Sequence, residues 1–418
     1  MSFFNLFKKY PRILLALDIG TEVVKALAVE VDSENKKGVV VGVGKVYQKI
    51  GNMQSGAVSD ISGVIESARR AIEIAKNNAE IKKTPDVIVG IAGELVKGTT
   101  TIVHYERVKP DVKIDKDELK TIIEKVQQKA YEKIKNQLAL EIGQSEIDIK
   151  LVNAAIADVT IDGYKVSDPL GFQGREVSIA VFNAYAPMIH LGALQTIASK
   201  LNINLVSIVA EPYAVAKSVG FEDDPEFGAI FVDVGGGTTD IAVVRNGGLE
   251  GTKMFALGGR AFTKRLAREL NISFREAEKL KIHYSLGELG KDVSAKIRTI
   301  FREDSRVWLS GIELSLEEFS ENNLLPPRIF LCGGGSALPE IKKVLDKGEW
   351  SKRLPFSKQP VVSFLQPKDV YRIIDKTDKL TNPQDVTPMG LASLLVDFVE
   401  EKREIASILQ EAMENISN

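Results

Sequence analysis

The order of apolar and polar positions predicts a run of short strands at the start of the chain. Ile13–Leu17 and Val23–Val31 are apolar runs on either side of a Gly-Thr turn, and Gly38–Lys49 alternates around glycines. Apolar runs of this length, separated by short turns, are typical of consecutive antiparallel strands. Helical spacing begins after the N-cap pair Ser59-Asp60, and Asp86–Ala92 is again a short β-branched run. The opening of the chain therefore predicts three strands, a helix and a buried strand.

The stretch from about residue 96 to 182 has a different order of elements. It contains a strand, a long charged helix and two further strands, at Thr99–His104, Lys116–Leu140, Ile149–Ile161 and Val177–Phe182. This order predicts a strand-helix-strand-strand subdomain inserted into the first domain. A helix from Pro187, a strand at Leu205–Val209 and a short helix at Pro212–Ser218 then complete that domain.

The opening pattern returns after a polar hinge at Asp223-Asp224-Pro225. Ala229–Thr238 repeats Leu14–Thr21, because each reads as an apolar strand, an Asp, an aliphatic residue, a Gly, a turn and a Thr. A further apolar strand follows in both copies, and the Asp keeps the same offset from Gly. A duplicated domain explains this repeat. The charged stretch 251–325 predicts a second, helical insertion, after which the strand Arg328–Cys332 resumes the second domain.

These patterns predict an α/β fold of two duplicated lobes and divide the chain into six parts. The parts are an amphipathic leader at 1–12, a first subdomain at 13–95 and 183–210, its insertion at 96–182, a second subdomain at 211–250 and 326–400, its insertion at 251–325, and a tail at 401–418. Hydrophobic residues make up 44% of the chain, which suffices for a sizeable core in each lobe.

Charge and cysteine content exclude several classes of protein. The 55 basic and 57 acidic residues give a formal net charge of −2, and no domain-wide basic excess favours nucleic acid as a partner. A single cysteine, Cys332, excludes a disulfide framework and a zinc cluster. No apolar run approaches the roughly 18 residues needed to span a bilayer, so we expect a cytoplasmic protein.

Two glycine-rich turns between strands carry the first candidate chemistry. In Asp18-Ile19-Gly20-Thr21 and Asp233-Val234-Gly235-Gly236-Gly237-Thr238, glycine lets backbone N–H groups approach phosphate oxygens, and Thr adds a hydroxyl donor. Asp18 and Asp233, at the strand ends, can hold the waters of a bound Mg²⁺. Three adjacent glycines weaken a strand, so a close ligand explains them better than a plain turn. The two loops together predict one ATP, bound with Mg²⁺ between two lobes.

Four further features have both a functional and a structural explanation. Lys25, next to the first loop, either contacts a phosphate or faces solvent. Gly333-Gly334-Gly335-Ser336 either lets an adenine or ribose lie against backbone at a helix N-terminus or forms a tightly packed connection. Glu278 and Lys281 share a helix face, and either reach a ribose or form a surface ion pair. Glu211 either orients the attacking water as a general base or is an acid favoured by the helix dipole.

No set of residues predicts covalent catalysis. His104, His190 and His283 are isolated in the sequence and suggest no metal or catalytic group. The Walker A pattern and a GxGxxG after the first strand are both absent, which argues against the P-loop and dinucleotide-binding classes.

The two ends of the chain differ in composition. Around residues 2–10, Phe3, Leu6, Phe7 and Tyr10 make one helical face with basic residues beside it, which is typical of a short interfacial anchor. The alternative is a disordered or core-docked leader. The tail is rich in Glu, and its aliphatic stripe predicts docking on protein rather than on anionic lipid. The stripe consists of Ile405, Ile408, Leu409 and Met413.

The three glycine clusters, in this order, resemble the actin, Hsp70 and sugar-kinase superfamily. The finer motifs resemble FtsA, the bacterial actin homologue of cell division, over roughly residues 11–400. The supporting stretches are Val89–Gly93, Asp168–Gly171, Glu211–Ala214, Gly258-Gly259 with Phe262-Thr263, Ala277–Lys281 and Pro388–Leu391.

This resemblance implies a fold, a cofactor and residue roles. The fold is an actin-like, ribonuclease H-like bilobal one, with the two subdomains called 1A and 2A, an SHS2-like insertion 1C and a second insertion 2B. The cofactor is ATP with Mg²⁺, and hydrolysis is slow. Asp18 and Asp233 hold the metal through water, and Glu211 orients the attacking water. Glu278 and Lys281 contact the ribose, and Gly333 to Ser336 form the adenosine motif.

The resemblance also implies partners and a location. Members of the family polymerise on the inner face of the cell membrane and tether the tubulin-like protein FtsZ through subdomain 2B. In this chain Arg260, Lys264, Arg265 and Arg268 can face the acidic C-terminal peptide of FtsZ. FtsA usually ends in a basic amphipathic helix, whereas here the aromatic and basic segment lies at residues 2–10, so we expect the membrane contact there.

Two other interpretations stay open. PilM, the actin-like platform protein of type IV pilus machines, shares the fold and often begins with a short Phe-Lys leader, so the N-terminus favours a pilus or secretion role. A phosphotransferase of the sugar-kinase branch needs an acceptor pocket with a catalytic Asp, and residues 96–182 offer no recognisable one.

Overall fold

Strands and helices alternate along most of the chain, which we describe from a computed structural model. The described residues are 12–92, 96–142, 148–221, 224, 226–320, 323–399, 405, 407–409 and 411–412. The predicted leader therefore lies outside them except for Arg12, as do Gly93 and Met413, and the predicted hinge is described only at Asp224.

The described residues contain the following strands and α-helices. The strands are β1 (Arg12–Ile19), β2 (Val23–Asp32), β3 (Lys37–Tyr47), β4 (Met53–Gln54), β5 (Ala57–Val58), β6 (Val87–Ile91), β7 (Lys97–Glu106), β8 (Ile149–Ile161), β9 (Tyr164–Lys165), β10 (Glu176–Pro187), β11 (Leu205–Ala210), β12 (Ala229–Val234), β13 (Thr239–Arg245), β14 (Gly248–Phe255), β15 (Arg328–Cys332), β16 (Val361–Phe364) and β17 (Ile373–Asp375). The helices are α1 (Ile61–Asn78), α2 (Lys116–Ile142), α3 (Met188–Leu201), α4 (Glu211–Lys217), α5 (Gly259–Leu270), α6 (Phe274–Ser285), α7 (Lys291–Glu317), α8 (Pro339–Asp346) and α9 (Val386–Val399).

The first lobe is built on a sheet with the strand order β11-β6-β1-β2-β3-β17. The three opening strands pair antiparallel, as predicted, and β6 runs parallel to β1. Helix α1 covers the sheet and begins at Asp60, whose carboxylate accepts a hydrogen bond from the Ser62 amide at 3.0 Å. Its buried face includes Val64, Ala68 and Ala71, so the predicted helical stripe is confirmed.

The second lobe repeats this arrangement. Strands β12, β13 and β14 pair antiparallel, and β15 runs parallel to β12, as β6 does to β1. In the first lobe Asp18 lies opposite Lys25 on the neighbouring strand, and in the second lobe Asp233 lies opposite Asp240. The duplicated α/β fold predicted from the repeat is therefore confirmed.

The first insertion joins the sheet of the second lobe. Its strands β7, β10, β8 and β9 extend the order β16-β15-β12-β13-β14, through a pairing of β7 with β14 at Gly251↔Thr99 and Thr252↔Gly98. The prediction that residues from 251 onward are helical was wrong for Gly251–Phe255, which complete β14. Partner strands on both sides hold this segment extended, although glycine and lysine interrupt its apolar pattern.

Helix α9 and strand β17 pack on the first lobe, although the sequence division placed 326–400 with the second. β17 adds to the edge of β3, and α9 packs against β1, β2 and α4. Every residue from Val386 to Val396 is buried, so this helix is apolar around its whole circumference. A helix of this kind must be covered on all sides, and the first sheet and α4 supply that cover.

The residues after α9 pack on the first insertion. We call the described residues 405, 407–409 and 411–412 the C-terminal segment. Ile405, Ile408 and Leu409 are buried in the same core as Leu119 and Ile122 of α2, so the predicted docking of this stripe on protein is confirmed for these three residues. None of the helices in the described ranges is long and apolar enough to cross a membrane.

Candidate functional site

The first glycine loop follows β1 and is held by a buried ion pair. Lys25 donates a hydrogen bond to Asp18 Oδ2 at 3.2 Å and another to the carbonyl of Gln384 at 2.7 Å. Burial alone would lower the pKa of Lys25, but the carboxylates of Asp18 and Asp385 outweigh it and raise the pKa. Lys25 is therefore a buried cation beside the loop, and it does not face solvent.

The second glycine loop follows β12 and contains two buried acids. The Gly235 amide donates to the Thr238 carbonyl at 2.9 Å, and the Thr238 hydroxyl donates to Asp240 Oδ2 at 3.1 Å. Burial raises the pKa of Asp233, against a hydrogen bond from Thr387. Burial and then the charge of Asp233 raise the pKa of Asp240 well above its usual range. This loop therefore holds two carboxyl groups where the first holds an ion pair.

The two loops approach each other across the lobes. A Cβ atom built on Gly237 would lie 2.9 Å from the Thr21 hydroxyl oxygen, and one built on Gly236 would lie 2.6 Å from Glu22 Cγ. Both distances are shorter than real Cβ contacts, so a side chain at either glycine would displace Thr21 or Glu22. The structure thus brings the two predicted phosphate loops together.

Glu211 lies in the first turn of α4, close to both loops. A Cβ on Gly90 of β6 would lie 2.7 Å from Glu211 Oε1, so the carboxyl group packs directly on that strand. Burial, followed by the charges of Asp18, Asp240 and Asp233, raises its pKa well above the usual range. The three predicted catalytic acids therefore share one buried electrostatic environment. No three acidic, His or Cys residues in the described ranges are placed to ligate a metal directly.

The third glycine cluster packs on the second loop. Gly333 has a φ of 81°, and a Cβ there would lie 2.0 Å from Asp233 Oδ1. Gly335 is also confined, since its Cβ would lie 2.6 Å from Val234 Cγ1. The buried Ser336 hydroxyl donates to the Gly333 carbonyl at 2.7 Å. Tight packing explains these residues, whereas a Cβ on Gly334 would come no closer than 3.7 Å to any neighbour.

Glu278 and Lys281 form an ion pair of 2.8 Å on α6 that lies against the second loop. Lys281 is buried and donates to the Gly259 carbonyl at 3.0 Å and to the Thr263 hydroxyl at 2.9 Å. The Gly259 amide in turn donates to the Gly235 carbonyl at 2.9 Å. The pair is therefore part of the wall behind the loop, and it is not an ordinary surface ion pair.

Arg260 occupies a position that the sequence did not predict. We expected it to face an acidic peptide, but its guanidinium donates to the carbonyls of Met53 and Thr21, each at 2.9 Å. The reason is its place in the first turn of α5, which begins directly against the second loop. Of the other predicted cations, Arg265 is paired within the second lobe, and Lys264 and Arg268 are exposed.

Sequence reasoning also missed the partners supplied by distant segments. Thr387 reaches Asp233 from the start of α9, and Asp385 neutralises Lys25 and Lys45 from the turn before it. No local motif marks these residues. The Asp at position 240, two residues after Thr238, was visible in the motif but received no role.

Comparisons with known proteins agree with the motifs. The family model described as "FtsA: Cell division protein FtsA" matches residues 230–390. A curated cell division protein FtsA of Neisseria meningitidis is 28% identical, over 80% of this chain and 81% of its own length. A second, from Pseudomonas aeruginosa, is 26% identical over 78% of each chain.

A solved structure supports the fold. The "PilM-PilN type IV pilus biogenesis complex" matches with a TM-score of 0.64 and 16% identity, covering 92% of this chain and 98% of that one. At this identity the likeness concerns the fold alone. The family model and the curated relatives together support the assignment of this chain to the FtsA family, as its motifs predicted.

Proposed function

We propose that this protein is an actin-like, FtsA-type protein of bacterial cell division that binds ATP with Mg²⁺ between its two lobes. The observation that carries the proposal is the meeting of the two loops, where Asp18 with Lys25 faces Asp233 with Asp240. Phosphate oxygens could be bound by Lys25 and by the backbone amides of the loops, and a metal could be held by the carboxyl groups of Asp18 and Asp233.

The charges of the site support a ligand that combines an anion with a divalent cation. Buried carboxyl groups are costly unless they are paired, and Oδ1 of Asp240 has no hydrogen-bond partner among the described residues. Mg²⁺ usually keeps several waters and takes one or two carboxylates together with substrate phosphates. Asp18 and Asp233 fit this role through water, and the bound metal would supply neutralisation of the phosphate charge.

The remaining residues take roles around the nucleotide. Backbone amides of Gly20, Gly236 and Gly237, with the hydroxyl of Thr21, bind phosphate. Gly235 and Thr238 shape the second loop, because the Gly235 amide and the Thr238 hydroxyl donate within it. Gly334, where an added Cβ would meet only ordinary contacts, lets the adenosine lie against backbone, and Glu278 with Lys281 supports the ribose side. Glu211 orients the attacking water. Burial raises its pKa, which makes the ionised carboxylate a stronger base.

At the level of the cell, we propose that the protein self-associates into filaments and links FtsZ to the inner face of the membrane. The support is that the curated relatives carry the name of a cell division protein. Lys264 and Arg268 are exposed on the second insertion and suit an acidic C-terminal peptide. Residues 2–10 suit the membrane contact by their composition. The likeness to the PilM-PilN structure is one of fold, so it does not favour a pilus role.

Titration with a fluorescent ATP analogue, with and without Mg²⁺, tests nucleotide binding. We expect Mg²⁺-dependent binding by the unaltered protein and by Glu211→Gln, because Gln keeps the size of the side chain. Glu211→Gln should hydrolyse ATP about 10²-fold more slowly or worse. Absence of binding by the unaltered protein would contradict the proposal, and equal hydrolysis would remove Glu211 from it.

Co-sedimentation with FtsZ filaments tests the partner. We expect the unaltered protein to pellet with FtsZ and a Lys264→Glu, Arg268→Glu variant to stay in solution, because both changes repel an acidic peptide. FtsZ that lacks its C-terminal peptide is the matched control.

Liposome flotation tests the membrane contact. We expect deletion of residues 2–10 to abolish flotation, and unchanged flotation would place the anchor elsewhere.

A further inference from the structure

Arg260 contacts both phosphate loops, one through its backbone and the other through its side chain. The backbone amide of Arg260 donates to the Gly236 carbonyl of the second loop at 2.8 Å. Its guanidinium crosses to the first lobe, where it donates to the carbonyls of Thr21 and Met53, each at 2.9 Å, and forms an ion pair with Glu22. Arg260 therefore contacts both loops with different groups of the same residue.

The backbone at Arg260 is held against the second lobe. Gly258 precedes α5 and fits so closely that a Cβ atom there would lie 2.6 Å from the Gly235 carbonyl oxygen. The Gly259 amide donates to the same oxygen at 2.9 Å. The first turn of α5 is therefore anchored to the second loop by backbone contacts, so the side chain of Arg260 links that loop to the first lobe.

The contacts to the first lobe suit arginine in particular. A planar guanidinium presents several donors in a fixed fork, whereas a lysine ammonium is a single point charge. Here the fork serves two backbone carbonyls and one carboxylate in different directions. The side chains of Arg260 and Glu22 are 13% and 26% exposed, so solvent screens this ion pair less than it screens a surface pair.

We propose that Arg260 is a positioning residue that holds the first phosphate loop at a fixed distance from the second. Loss of its side chain would remove this direct contact between the first loop, which contains Asp18, and the second loop, which contains Asp233. The consequence for nucleotide handling depends on the proposed ATP site, but the consequence for the distance between the lobes does not.

Arg265 provides a matched control. It lies on the same helix and forms an ion pair of 3.1 Å with Glu303, but that partner belongs to the same lobe and its side chain is 74% exposed. Arg265→Ala therefore removes an arginine and an ion pair without touching the contact between the lobes.

The first measurement is the distance between the lobes. Spin labels are attached to cysteines introduced at the exposed positions Glu73, on α1, and Arg275, on α6. The native Cys332 is buried, and burial raises the pKa of its thiol well above the usual range, so it competes little for the label. Double electron-electron resonance should give a narrow distribution for the unaltered protein and for Arg265→Ala. Arg260→Ala should give a broader distribution shifted to longer distance, and Arg260→Lys an intermediate one.

The second measurement is affinity for the fluorescent ATP analogue. Arg260→Ala should bind about 5- to 150-fold more weakly, the range typical of coupling between two sites, and Arg265→Ala should bind normally. Glu22→Gln should have a smaller effect, because the two carbonyl contacts of Arg260 remain. If Arg260→Ala does not unfold cooperatively, Arg260→Lys and Glu22→Gln carry the test.

The outcomes separate the two proposals. A narrow, unshifted distance distribution in Arg260→Ala would overturn the positioning role, whatever the nucleotide affinity. If the unaltered protein binds no nucleotide while Arg260→Ala still broadens the distribution, the ATP site fails and the positioning role stands. Equal broadening in Arg265→Ala would also overturn the role of Arg260, since it would reveal a general loosening of α5.

Discussion

The two phosphate loops join paired strands in the same way, but their buried charges differ. In each lobe an Asp ends the first strand and a charged residue lies opposite it on the second, but that residue is Lys25 in the first lobe and Asp240 in the second. Asp18 is therefore neutralised by an ion pair, whereas Asp233 and Asp240 depend on the hydroxyls of Thr387 and Thr238. One substitution within a duplicated frame therefore gives the first lobe a buried cation at the position where the second lobe has another carboxyl group.

This difference would suit the asymmetric ligand that we propose, although the fold repeats in the two lobes. A phosphate chain with a bound metal has anionic oxygens at one place and a cation at another. Two identical loops would offer the same charge to both ends. The duplication places two similar loops at matched positions. The charges of the two loops differ because one has Lys25 where the other has Asp240.

Removal of Lys25 should have the largest effect on this difference in charge. Lys25→Ala leaves the carboxylate of Asp18 without its buried cation, and the loss of one member of a buried pair costs about 3–5 kcal/mol. Chemical denaturation should show this loss in the free energy of unfolding, and ATP binding should disappear. Lys49→Ala is the control, because its ion pair with Glu66 is exposed and contributes at most about 1 kcal/mol. Equal losses in both variants would contradict a buried charge balance.

A methyl group on the glycine beneath Asp233 should disturb the second loop alone. Gly333→Ala is strained by its positive φ and would place Cβ 2.0 Å from Asp233 Oδ1, so we expect a loss of about 2 kcal/mol or more in the free energy of unfolding. Gly334→Ala should be neutral within about 0.5 kcal/mol, since its Cβ meets only ordinary contacts at 3.7 Å. Comparable destabilisation by both would show that the cluster is not packed as described.

The same substitution should have opposite signs in the two lobes. Asp240→Asn removes a carboxyl group whose ionisation is disfavoured by burial and by Asp233, and it keeps an acceptor for Thr238, so it should raise the free energy of unfolding at pH values where Asp240 is ionised. Asp18→Asn breaks the pair with Lys25 and should lower it. Denaturant titration of both variants measures the signs, and two equal signs would contradict the proposed asymmetry.

The pH dependence of Asp240→Asn sharpens this test. The pKa of Asp240 is raised in the folded state, so the folded state keeps this proton to higher pH than the unfolded state does. Its contribution to stability is present below the unfolded pKa and is lost as pH rises through the folded pKa. The difference in free energy of unfolding between Asp240→Asn and the unaltered protein should therefore grow as pH rises through that range. A constant difference would mean that Asp240 titrates normally.

The lobes could be predicted from the sequence because their signals are local. An apolar strand, an Asp and a Gly at fixed offsets determine the loops, and helical spacing determines α1. Gly251–Phe255 and α9 could not be placed in this way. The first is held extended by strands on both sides, and the second is covered by a sheet whose strands lie at the other end of the sequence.

The site was predictable to the same degree. The strand period limits Lys25 to one face of the sheet, but only the pairing of β1 with β2 places it opposite Asp18. Arg260 reads as one cation among several on a charged helix, and its role depends on the contact of α5 with the second loop. Residues such as Thr387 act through contacts with distant segments, which no local motif records.

The contact between the C-terminal segment and the first insertion has a consequence for biosynthesis. Ile405, Ile408 and Leu409 complete a core that also contains Ile114, which the ribosome adds about 290 residues earlier. At roughly 5–20 residues per second, the ribosome needs about 15–60 s to add the residues between Ile114 and Ile405. During that time the apolar core of the insertion lacks Ile405, Ile408 and Leu409. The core of the insertion is therefore completed only after Leu409 has been synthesised.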